Sequence, residues 1–167
     1  MSDFQSALRA RLERNAELAE QDRAAHEEMD RLEAQREAEN QRRAEEVAAA
    51  RRQQHADLVA HVEGLTAQLA AASPEDLDVR AGWSSSGEEF LVRVATVGLR
   101  PARRLDIELD RDDDEVLVRW KSDIGDALEM WRLMEFTPEM LTELLLQVVD
   151  QEIWRGDAST PPFPTST

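Results

Sequence analysis

Cysteine is absent from this chain. That excludes a disulfide framework and all thiol chemistry, and leaves a reducing cytosolic setting open. Glycine and proline number six each, and neither occurs before Gly64. A stretch of more than sixty residues without either helix breaker, dominated by Ala, Glu, Arg and Gln, reads as one very long helix. No apolar run approaches the ~20 residues needed to span a bilayer, and no basic-then-apolar leader opens the chain. The expectation is a cytoplasmic protein with no membrane span.

The residues that carry chemistry are also scarce. His26, His55 and His61 all lie on the polar helix, none in an H-E-x-x-H spacing. Without cysteine, a zinc site would need carboxylates from elsewhere. Asp110, Asp112 and Asp114 alternate like the start of a calcium loop, but Glu115 replaces the turn glycine and Lys121 stands where the bidentate Glu belongs. There is no Gly-rich phosphate loop and no nucleophile elbow. The abundant carboxylates follow from the net charge of −16 and mark no acid/base pair. The chain is expected to be non-enzymatic, with no cofactor and no metal.

Positive charge is sparse. Residues 1–72 carry 10 Arg against 15 acids, and residues 73–167 carry 10 basic residues against 21 acids. Only Arg100, Arg103 and Arg104 cluster, and they read as a solvated turn. No direct nucleic-acid contact is expected.

What is present is a helix with two apolar stripes. Ser2 has the spacing of a capping box with Gln5, which starts the helix at Asp3. Unbroken to Ala72, such a helix would run about 105 Å and would project from any small domain. Despite its coiled-coil-like composition it lacks the heptad. Leu18 and Met29 are eleven residues apart, as are Val47, Leu58 and Leu69, which favours a straight or slightly right-handed helix. From Glu33 to Glu46 only alanines interrupt the polar surface, and Glu27/Arg31 and Glu39/Arg43 are i,i+4 pairs that support an arm without a core. Leu58, Val59, Val62, Leu65 and Leu69 are dense again. Gly64, among them, marks either a close helix contact or a weak point. Phe4, Leu8 and Leu12 form a second stripe, about a quarter turn or more from Leu18, Met29 and Leu32. These six residues are the candidate protein-binding set, facing a protein partner or a second copy in a homo-oligomer.

Beyond the Ser73-Pro74 break the apolar period becomes two. Leu77 to Trp83, Phe90 to Val94, Leu105 to Leu109, Val116 to Trp120, and a last run holding Leu128, Met130, Met134 and Phe136 read as strands. Their short connections leave no room for crossover helices, so an antiparallel meander of four or five strands follows. Thr137, Pro138 and Glu139 then start a covering helix that Gly156 closes. The fold class is α+β, with a long charged helix over 1–72, a sheet and C-terminal helix over 73–156, and a disordered Ser/Thr/Pro tail expected over 157–167. Two functions fit. The first is an adaptor or scaffold acting through the long helix; the second is an acidic inhibitor that stands in for nucleic acid before a nucleic-acid-binding protein.

Overall fold

The computed structural model describes residues 2–156 and 159–165. One helix, α1, runs Asp3–Ala72, with the Gln5 N–H donating to Ser2 Oγ at 3.3 Å as the cap spacing predicts. Five strands follow, β1 (Leu77–Trp83), β2 (Glu89–Thr96), β3 (Arg103–Asp110), β4 (Glu115–Ser122) and β5 (Gly125–Arg132). They form one antiparallel sheet in sequence order. A 3₁₀ turn, Leu133–Glu135, leads to α2 (Pro138–Val149) and α3 (Gln151–Gly156). The chain divides into two units, Met1–Val47 and Ala48–Thr167.

In the first unit, α1 exposes its whole described surface. Its ion pairs are i,i+3 and not the i,i+4 pairs expected: Arg31 meets Glu28 at 2.5 Å and Arg42 meets Glu39 at 3.7 Å. Both spacings place side chains on neighbouring turns, so either rotamer choice satisfies the cation.

The second unit begins inside α1, twenty-five residues before the helix end expected to close the first domain. The reason is the spacing of His55, Leu58, Val59, Val62 and Thr66, all buried. This i, i+3, i+4, i+7, i+11 stripe is the core-facing side of an ordinary amphipathic helix. It packs with Met140, Leu141, Leu144, Leu145 and Val148 of α2 on the inner face of the sheet. Antiparallel register aligns that face in rows across all five strands, one being Trp83, Phe90, Leu109, Val116 and Trp131. Hydrogen bonds fix the helix there: Gln54 Nε2 donates to the Phe136 carbonyl at 2.7 Å, His55 Nε2 lies 2.8 Å from the Leu109 carbonyl, and His61 Nε2 lies 3.0 Å from Thr142 Oγ1.

Three local expectations change. In β5 the core-facing residues are Ala127 and Trp131, whereas Leu128 and Met130 are exposed. The pairing of Trp120 with Ala127 and Val116 with Trp131 sets this phase, and a one-residue difference in phase exchanges faces. Met134 and Phe136 lie beyond the strand, in and after the 3₁₀ turn. The C-terminal helix is two helices, because Asp150 leaves the helical backbone region and its Oδ1 accepts the Glu152 N–H at 3.2 Å, starting α3 anew. Thr137 caps α2 as expected, its partner in the box being Met140 Sδ.

Composition suggested an unpacked tail, yet residues 159–165 lie on the domain. The Phe163 ring meets Trp131 edge-on at 5.9 Å, Pro161 and Pro164 are buried, and Gln147 Nε2 donates to the Pro162 carbonyl at 3.1 Å. Trp131, on an edge strand, offers an apolar surface that Phe163 covers. Residues 157, 158, 166 and 167 of that tail lie outside the described residues.

Gly64 makes no close contact: a Cβ built there would meet nothing within 4 Å. Its position is helical, so the glycine only adds backbone entropy to the unfolded chain. Gly64→Ala is expected to stabilise the second unit by about 0.5–1 kcal/mol, read as a raised urea midpoint at unchanged m value.

Candidate protein-binding surfaces

The six residues singled out on the first unit are all solvent-exposed, Phe4, Leu8, Leu12, Leu18, Met29 and Leu32 ranging from 45% to 73% of full exposure. At ~100° per residue, Leu18, Met29 and Leu32 share a stripe roughly 60° wide, and Phe4, Leu8 and Leu12 continue from its edge. The helix therefore brings them onto one side as two adjoining stripes. His26 shares this unit and is exposed. The other two histidines are engaged structurally, His55 against the Trp83 ring at 5.6 Å and His61 with Thr142. Among the described residues, no group of three or more His, Asp or Glu could hold a metal ion, and no helix is long and apolar enough to cross a membrane.

The acidic β3–β4 turn is held by the side chain of Asp110. Asp110 Oδ1 accepts the N–H groups of Asp112 and Asp113 at 3.0 and 3.1 Å, which turns the chain without glycine. Asp114 takes φ +55°, and its Oδ1 accepts the Leu133 N–H at 3.2 Å. Its carboxylate also faces Arg51 at 3.5 Å. Nearby, Glu88 titrates above the ordinary carboxylate range because it shares a hydrogen bond with Asp112, while Arg111 holds Asp112 below it.

The arginines near the β2–β3 connection do not form a solvated turn. Only Arg100 is highly exposed, 3.6 Å from Asp123. Arg103 is buried in β3, where Nε donates to the Val148 carbonyl at 2.9 Å and Nη1 to the Pro101 carbonyl and Gln151 Oε1. Its guanidinium lies 5.2 Å from the Trp154 ring centre, so it ties β3 to α2 and α3. Burial lowers its pKa from the usual arginine value, and Asp150 counters this.

Arg104 instead joins a basic face that residue order alone conceals. On the outer side of the sheet, register aligns Arg80, Arg93, Asp106 and Arg119 in one row and sets Arg104 opposite Lys121 in the next. Asp106 is shared, accepting from Arg93 Nε at 2.8 Å and Arg104 Nε at 3.1 Å. Arg80 lies 3.4 Å from Asp78. Arg119 and Lys121 form no ion pair among the described residues. A third row holds Leu91, Glu108, Leu117 and Met130. Met130 apart, these rows line a concavity of about 540 Å³. The signal was the outward half of each alternating strand, read across neighbouring strands.

Glu108, between Leu91 and Leu117, is raised above the ordinary carboxylate pKa by desolvation and then by the like charge of Glu89. The native state thus keeps this proton to higher pH than the unfolded chain. Its contribution to stability is complete below the unfolded value and is lost as pH rises through the native one. Glu108→Gln is expected to gain stability over the natural chain at pH 7.5, on the order of 0.5 kcal/mol or less because solvent screens the group, and to gain less at pH 5. Urea midpoints at the two pH values check this.

Comparison with known proteins adds no second source for these surfaces: no protein-family model, no curated protein and no solved structure matches the chain.

Proposed function

We propose that this chain is a non-enzymatic cytoplasmic assembly or adaptor protein, and that it binds protein through Phe4, Leu8, Leu12, Leu18, Met29 and Leu32, with a second copy of the same helix as the first occupant. The observation that carries this reading is their shared exposure on a stretch of helix whose remaining described surface is, apart from Val47, polar, charged or alanine. Each fully buried Leu or Phe contributes about 1.5–3 kcal/mol, so the twelve side chains of two copies together, if fully buried, outweigh an association cost of about 4–15 kcal/mol when the helix is already formed. An amphipathic helix that lies on anionic lipid needs a basic polar face. This unit carries 8 Arg against 13 acids, which disfavours that use. The eleven-residue spacing favours straight packing over a left-handed supercoil.

A second reading, an acidic mimic of nucleic acid, draws on one feature. Register lines up Glu89, Asp110 and Glu115, and the Glu88–Asp112 pair lies at the same end of the sheet. The basic outer face limits mimicry to that end. Salt separates the readings, because a charge mimic loses its target steeply between low and physiological ionic strength and an apolar stripe does not.

Leu8→Glu is expected to abolish self-association or partner capture while leaving the thermal unfolding of the second unit unchanged. Light scattering, pull-down and circular dichroism of the same preparation read the three quantities. Retention of both oligomer mass and partners would refute the proposal.

A further inference from the structure

We infer that the outer face of the five-stranded sheet is a second docking surface, and that its occupant is an acidic amphipathic helix of a partner protein. This stands independently of the reading of the first unit. The second unit carries 12 basic residues against 23 acids, yet five of the twelve cations, Arg80, Arg93, Arg104, Arg119 and Lys121, occupy this one face. Their placement works against the isolated sheet. Arg80 is directly opposite Arg93, and Arg104 directly opposite Lys121, and like charges in opposed positions destabilise a strand pair. Asp78 and Asp106 offset part of that repulsion. Carboxylates brought by a partner would offset the rest.

The occupant must also offer apolar side chains. Leu91 and Met130 are exposed and Leu117 half-buried, all in the row beside the cations. A phosphate backbone gives Leu91, Leu117 and Met130 nothing to pack on. A peptide carrying Glu beside Leu meets both rows. Leu91 and Leu117 stand two strands apart, about 9.6 Å, and helical residues seven apart are separated by about 10.5 Å. A helix lying across the strands therefore repeats its apolar residues at nearly the spacing that this face repeats its own.

The test uses the full chain and fluorescein-labelled helical peptides of roughly eighteen residues, a length at which helix is reachable in water. One peptide carries Leu at i, i+3, i+7 and i+10 flanked by Glu; a second replaces Leu by Ser; a third replaces Glu by Gln; oligo-dT of the same length is the polyanion control. Anisotropy is expected to show micromolar binding of the first peptide only. That affinity is expected to fall at least about tenfold in Arg93→Glu/Arg119→Glu and in the milder Arg119→Ala, with thermal unfolding of each variant showing that it folds. The proposal is overturned by equal binding of natural chain and folded variants, by failure of the first peptide to bind, or by oligo-dT binding as tightly as that peptide.

Discussion

The structure of the second unit depends on covering one face of a sheet. A five-strand antiparallel meander places Phe90, Val92, Val94, Leu105, Ile107, Leu109, Val116, Val118 and Trp120 on a single side, and all are buried. A 12-residue α2 contributes five buried side chains, and the last turns of α1 add Leu58, Val59 and Val62. That need for a second cover explains why the unit begins at Ala48, within a helix that shows no break there. Arg103 extends the same closure. It is a buried cation whose hydrogen bonds reach α2 and Gln151 of α3, and truncating it would leave buried acceptors unpaired.

The opposite faces of the sheet are chemically unlike, and that contrast carries the functional argument. Inside, rows of aliphatic and aromatic residues are buried. Outside, cations oppose cations beside exposed apolar side chains, in a domain that is otherwise strongly acidic. The first unit presents the reverse composition, an acidic helix with uncovered Phe and Leu. Both surfaces have what protein contacts use, apolar anchors within a charged rim.

Much of this was legible in the residues because each element has a strong local signal. The Ser2 cap gave α1 its start at Asp3 and the Ser73-Pro74 break its end at Ala72, and period-two alternation gave the strands and their short turns. Thr137 and Pro138 located the start of α2. Less legible features depended on partners distant in sequence. The phase of β5 is set by pairing with Val116 and Trp120, so Leu128 and Met130 face outward despite being apolar. The tail is held by Trp131, which its own composition cannot reveal. The basic face arises only when Arg80, Arg93, Arg104 and Arg119 are brought together by register, and Arg103, beside Arg104 in sequence, faces the other way. The six helix residues proposed to bind protein are exposed.

The central claim is that α1 serves two purposes, its last turns being core and its first half being contact surface. Native-state hydrogen exchange across a protein concentration series tests it directly. The account predicts that amides 55–69 exchange with the same protection as β3 at every concentration, whereas protection over residues 4–32 rises with concentration as the apolar stripes are covered. Exchange of residues 55–69 as fast as that of residues 33–46, or protection over 4–32 that is independent of concentration and of added partner, would contradict it.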